Sequence, residues 1–176
     1  SSMFNQVQVY FNLTEIKEWF KDTFSFDDDY KLEVVVDTLV YGEAQNAAYE
    51  PSVDSNRGSL LFGSGGSSLT NLSRDFDIAS HEFSHHVIWQ TINSKRGDAL
   101  IIHEGYADYF TYAATDDPYL GESSALYRDY IRSAVAPRSI RYDDPLLSPH
   151  SHDRGEVLSA LLWELRLEIG SSFDQD

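Results

Sequence analysis

Cysteine is absent from the 176 residues, which excludes disulfides, thiolate metal sites and cysteine nucleophiles. Basic residues are scarce: 13 Lys+Arg stand against 29 Asp+Glu, a net charge of -16, so contact with nucleic acid or an anionic membrane surface is not expected without a basic patch. No such patch is visible. No apolar run approaches the roughly 20 residues of a membrane span, and the N-terminus lacks the basic, apolar, small-residue series of a secretory signal. Repeats, low-complexity tracts and interdomain linkers are missing too. What remains is ordinary globular composition, 41% hydrophobic and 24% charged, enough for one domain with a real core.

Apolar positions Val7, Tyr10, Phe11, Ile16, Trp19 and Phe20 recur at helical intervals and predict a helix over about 4–24. The β-branched run Leu32 to Val40 reads as a strand, and Asn46 to Tyr49 and Ser59 to Phe62 as two more, joined by a turn with Pro51, Asp54, Asn56 and Gly58. After the flexible stretch Gly63 to Ser68, helices are predicted over about 76–92, 101–114, 123–133 and 154–169. Strands first and helices later is an α+β order. A single domain over 1–176 is expected, with an N-terminal lobe to about residue 95 and a mainly helical lobe from about 96.

Within the long helix stands His81-Glu82-Phe83-Ser84-His85. A spacing of four puts both imidazoles on one face, one turn apart, where they can share a metal ion, while Glu82 reaches water beside it. Neutral imidazoles suit zinc. Two surface histidines on an amphipathic helix are the bland alternative. A hydrolytic zinc site needs a third ligand, and Glu104 is the candidate, with 18 residues between it and His85, enough for the helix to end, turn and return antiparallel. Asp108 lies one turn further on the same face, placed to accept a hydrogen bond from the outer nitrogen of His81.

These residues resemble the gluzincin metallopeptidases, among them thermolysin and the fungalysins. His81-Glu82-x-x-His85 followed by Glu104-x-x-x-Asp108 is similar to their zinc signature, and Glu104-Gly105-Tyr106-Ala107-Asp108-Tyr109-Phe110 to the fungalysin form of its second half. The resemblance implies a zincin, thermolysin-like fold with a small N-terminal mixed sheet and a mainly helical C-terminal lobe. It implies zinc on His81, His85 and Glu104, with Glu82 as general base of a zinc-dependent endopeptidase. Asn46-Ala47 resembles the edge-strand pair that binds an extended peptide or protein substrate, and the stretch from His152 to Arg166 the late segment whose histidine contacts the tetrahedral intermediate. His152 is therefore expected to be catalytic. An inhibitory propeptide outside these residues and a secreted or cell-envelope location are also implied.

The chain departs from the pattern in three places. His103 stands where thermolysin-like enzymes usually carry an Asn, no tyrosine lies between His85 and Glu104, and only 24 residues follow His152. Two other readings stay open. Gly42-Glu43-Ala44-Gln45-Asn46 loosely echoes the amine-binding motif of gluzincin aminopeptidases, and a catalytically idle zinc-binding interaction domain would keep the fold alone. The acidic clusters Asp27-Asp28-Asp29, Asp116-Asp117 and Asp143-Asp144 invite calcium, which thermolysin relatives often bind, but none has a known calcium-loop spacing and a solvated surface is the simpler reading.

Overall fold

The computed structural model describes residues 2–27, 29–52, 57–94, 96–135 and 148–173. Asp28, Asp54, Asn56, Asp143 and Asp144 of the predicted turn and acidic clusters lie outside the described residues. Helix α1 (Ser2–Phe24) precedes strands β1 (Lys31–Thr38), β2 (Ala47–Pro51) and β3 (Arg57–Gly63). Helices α2 (Phe76–Trp89) and α3 (Asp98–Thr115), the two-residue strands β4 (Tyr119–Leu120) and β5 (Arg132–Ser133), and α4 (Ser151–Phe173) follow. The sheet order is β1-β3-β2, with β1 parallel and β2 antiparallel to the central strand. This is the α+β arrangement expected, with a small mixed sheet first and helices after it.

Helix α1 buries Asn5, Val9, Asn12, Ile16 and Phe20, a stripe at intervals of three and four residues. Three of its predicted apolar positions, Val7, Tyr10 and Phe11, face outward instead. The difference comes from polar partners. Asn5 Nδ2 donates to Asp37 Oδ1 at 2.8 Å and Asn71 Nδ2 to the same oxygen at 2.6 Å. Asp37 adopts a left-handed φ of 55° where the register of β1 against β3 breaks. Its carboxylate thus ties α1 and the segment before α2 to the sheet edge. At the inner end of α1, Phe20 packs edge-on to Phe110 of α3 with centroids 5.2 Å apart and lies 5.9 Å from Phe83 of α2.

No helix forms over 123–133; the chain turns and bends there between β4 and β5. Partners outside the segment outcompete its own helical hydrogen bonds. Gly121, at a φ of 81°, donates its N–H to Asp77 Oδ2 at 2.8 Å, and Ser123 Oγ donates to Asp75 Oδ2 at 2.8 Å. The Ser124 carbonyl accepts from Thr70 N at 2.8 Å, and Leu126 N donates to the Ser68 carbonyl at 3.1 Å.

Asp75 caps α2, accepting from Asp77 N at 2.9 Å and Ile78 N at 3.4 Å. At the other end of the helical layer α3 and α4 cross closely. A Cβ on Gly105 would lie 2.9 Å from the Gly155 carbonyl oxygen, and one on Gly155 would lie 2.8 Å from Glu104 Cβ. Only glycine at both positions permits this approach.

Two outcomes are expected from these contacts. Gly155→Ala should lower unfolding free energy by about 1–3 kcal/mol through overpacking, whereas Gly170→Ala, on the open side of α4, should raise it by about 1 kcal/mol. Urea titration reads both. Burial and the neighbouring Asp75 carboxylate push Asp77 up to about 7. Its pKa is therefore higher folded than unfolded, so its contribution is complete below about pH 4 and is lost as pH rises through 7. In chelator, the wild type should lose stability relative to Asp77→Asn over that interval, and a flat difference in paired urea titrations would sink the assignment.

Candidate active site

Helix α2 is buried almost continuously from Ile78 to His86, so it runs through the core and not along the surface. On one of its faces His81 and His85 are each 4% exposed and Glu82 is 6% exposed, which removes the reading of two surface histidines. His86, next in the chain, turns the other way into Phe26, Tyr30, Tyr49 and Phe83, with Nδ1 3.3 Å from Tyr49 Oη. The helical step of about 100° per residue separates the two roles.

Glu104 enters from α3 and His152 from the first turn of α4. Glu104 Oε2 lies 3.2 Å from His81 Nε2, 3.5 Å from His85 Nε2 and 3.2 Å from His152 Nε2, and the two α2 imidazoles are 3.2 Å apart at Nε2. The Gly105–Gly155 crossing makes this reach possible. Ligand atoms of His81, Glu104 and His152 all lie within 4.8 Å of one another, so His152 stands beside the atoms that could hold a metal.

Behind His81, its Nδ1 is 2.8 Å from Asp108 Oδ1, and Asp108 has no exposed surface. Arg132, from β5, grips that carboxylate in a fork, Nη2 to Oδ1 at 2.7 Å and Nε to Oδ2 at 2.9 Å. Burial disfavours the Asp108 charge, but Arg132 and then His81 more than offset it and hold its carboxyl below the ordinary value. A carboxylate there accepts the Nδ1 proton of His81, so that when the ring gives up its other proton to a metal the freed lone pair is on Nε2, facing Glu104. Burial works against Glu104 too, yet the facing His85 and His81 keep it well below the usual carboxylate range.

Glu104 Oε2 is buried and makes no hydrogen bond of good geometry, although imidazole nitrogens surround it. Acceptor atoms from Glu104, His81 and His85 converging in a buried pocket, with no thiolate among them, fit the nitrogen and oxygen ligand set of zinc. Of the calcium candidates, Asp116 pairs with Arg166 at 2.8 Å and Asp117 accepts from Tyr119 N at 3.1 Å.

A cavity of about 170 Å³ opens beside these atoms. His81, Glu82, Arg132, His152, Asn46 and Ala47 are among its lining residues. Its apolar wall is Leu69, Leu72, Ile78 and Ile131. Asn46, Ala47, His81, Glu82 and His152 thus line one cavity, with Glu104 against His81 and His152 and Asp108 behind His81. Sequence reasoning missed Arg132, which it had put in a helix that does not exist, and Gln45, whose Oε1 accepts from Ser68 N at 2.7 Å and Leu69 N at 3.0 Å and so fixes the loop carrying Leu69. The buried Asp108, which needs a cation beyond His81, was the one available hint of Arg132.

Comparison with known proteins identifies the family. The family described as thermolysin metallopeptidase, catalytic domain, matches residues 2–89, half of the chain, and so includes the His81–His85 motif but ends before Glu104. Neutral protease NprE of Bacillus pumilus is 27% identical over 150 residues, covering 82% of this chain and 47% of that protein. Bacillolysin of Bacillus subtilis (strain 168) has the same identity and coverage of this chain, which spans 27% of it. The chain thus spans less than half the length of these relatives. Among solved structures, the precursor of protealysin, a metalloproteinase from Serratia proteamaculans, gives a TM-score of 0.66 at 16% identity over 90% of this chain and 57% of that one, a likeness of fold.

Arg132→Met should destabilise the protein by about 3–5 kcal/mol, because it strands the Asp108 carboxylate in the interior. The double variant Arg132→Met with Asp108→Asn should recover part of that loss. Chemical denaturation of the cycle measures the coupling, and additive losses would refute it.

Proposed function

The chain belongs to the thermolysin metallopeptidase family, and from that premise we propose that it is the catalytic unit of a zinc-dependent endopeptidase. The observation that carries the reading is the convergence of His81, His85 and Glu104 beside a cavity that Glu82 and an edge strand also line. His81, His85 and Glu104 would hold the metal. Zinc bound there would supply a Lewis acid that acidifies water and polarises a peptide carbonyl.

The protein's own groups divide the remaining work. Glu82 accepts a proton from the attacking water and delivers it to the nitrogen of the leaving amine. His152, with Nε2 at the rim of the same cluster, donates to the carbonyl oxygen as it gains negative charge. Asp108 orients His81, and Arg132 keeps Asp108 ionised. Ala47 begins β2, an edge strand of the sheet, with Asn46 just before it, where an extended peptide can add as a further strand. The wall of Leu69, Leu72, Ile78 and Ile131 then receives an apolar side chain next to the scissile bond.

In this reading the cleft lies between a lobe to about residue 95 and a helical lobe from about 96. Export from the cytoplasm and latency under a propeptide belong to the same proposal; support comes from the family resemblance and from a precursor among the proteins of like fold. Among the described residues no helix is long and apolar enough to cross a membrane.

The test is cleavage of a quenched peptide library and an unfolded protein by zinc-loaded material, with cut positions read by mass spectrometry. Internal cuts beside Leu, Ile, Phe or Val are expected, and Glu82→Gln should reduce them by about 10²–10⁴-fold while retaining zinc. His152→Phe should lower kcat by about 10²-fold with a smaller change in KM. Loss of single N-terminal residues would instead favour an aminopeptidase. Stoichiometric zinc without Glu82-dependent cleavage would favour a metal-binding interaction domain.

A further inference from the structure

We propose that His103 is a positioning residue that holds the imidazole plane of His85 through ring stacking, from an anchor at the end of α2. The inference rests on the reading of His85 as a zinc ligand. His103 has no exposed surface and immediately precedes Glu104 on α3. Its Nε2 lies 3.0 Å from the Ile92 carbonyl oxygen. A carbonyl only accepts, so Nε2 carries the proton and the ring is fixed in one orientation.

The anchor itself is firm. Ile92 N donates to the Ile88 carbonyl at 2.7 Å, and the Ile92 carbonyl also accepts from Ser94 N at 2.7 Å, so the chain leaving α2 is tied at that residue. Held there, the His103 ring lies against the His85 ring with centroids 5.7 Å apart and planes 29° from parallel. Trp89 approaches His103 at 6.4 Å. The ring of His81 meets His85 edge-on at 4.7 Å. His85 is thereby flanked by two imidazoles, one near-perpendicular to its plane and one 29° from parallel, so turning it about its Cβ–Cγ bond disturbs its packing against a ring pinned to the backbone.

A helix-to-helix tie alone would predict lost stability and nothing more. A positioning role predicts weaker metal binding in the folded protein, and it separates ring from hydrogen bond. Replacing partners that orient metal ligands commonly costs about 10–100-fold in affinity. His103→Ala and His103→Gln, which both lack the flat ring, should weaken zinc binding by about 10-fold or more. His103→Phe keeps the ring without the donor and should stay near the wild type in zinc affinity while losing thermal stability in the metal-free form.

The experiment is competition with a chromophoric chelator at one fixed pH on folded protein, with metal-free melting temperatures beside it. The visible spectrum of the cobalt-substituted forms reports ligand geometry independently. Unchanged zinc affinity in His103→Ala and His103→Gln overturns the proposal, as does His103→Phe binding as weakly as His103→Gln. If His103→Ala does not fold, the comparison of His103→Phe with His103→Gln decides alone. Failure of the wild type to bind zinc would overturn the underlying reading, and this inference with it.

Discussion

A carboxylate with no exposed surface must be met by positive charge, and Asp108 imposes that demand on a chain in which acids outnumber bases by 29 to 13. Arg132 answers it with a two-pronged contact and His81 with one nitrogen. Much of the architecture follows. The guanidinium must be carried across from β5, which commits the chain between β4 and β5 to an open path. The proton that Asp108 draws to His81 Nδ1 decides which nitrogen of that ring faces Glu104. A residue two contacts away from the cavity thus sets the chemistry of an atom that lines it.

The second constraint is steric. Glu104 and His152 belong to helices that touch at Gly105 and Gly155, and the missing side chains bring the backbones close enough for both groups to reach the nitrogens of α2. Position along α2 is set independently by the Asp75 cap, and the same carboxylate reaches Ser123 with its other oxygen. The cap that starts α2 therefore also shapes the segment leading to Arg132. Charge compensation and helix crossing are separate devices, and both are needed to bring donors from α2, α3 and α4 together.

What could be read in advance was what depends on short spacing. The intervals of four from His81 to His85 and from Glu104 to Asp108 place each pair on one helical face whatever surrounds the helix, and both pairs do share a face. The strands over Leu32 to Val40 and Ser59 to Phe62 were legible because β-branched and apolar runs bounded by turn residues have few alternatives. Position within the folded whole was not legible in the same way. The helix expected over 123–133 fails because Asp75, Ser68 and Thr70, all distant in sequence, take the segment's polar groups. In α1, Asn5 and Asn12 occupy the buried face at the expense of Val7 and Tyr10, since an amide with a partner across the interface can be buried and an apolar group facing solvent costs little. Arg132 carries no local mark at all; only the buried Asp108 called for a cation, and no sequence interval says which one.

The same distinction bears on how a substrate would meet this surface. An edge strand offers backbone hydrogen bonds that do not depend on side chains, so in the proposed reading β2 would hold any extended chain, and discrimination would come from elsewhere. The cavity beside it is small, about 170 Å³, and apolar along Leu69, Leu72, Ile78 and Ile131. An apolar residue entering it gains burial, while a charged one would lose hydration without a partner on that wall. Two of those four residues, Leu69 and Ile131, sit on segments held by Gln45 and by the strand that carries Arg132. The wall that would select a side chain is thus built from the same contacts that hold Asp108 ionised and the Asn46 edge in place, so recognition and chemistry share one mechanical support.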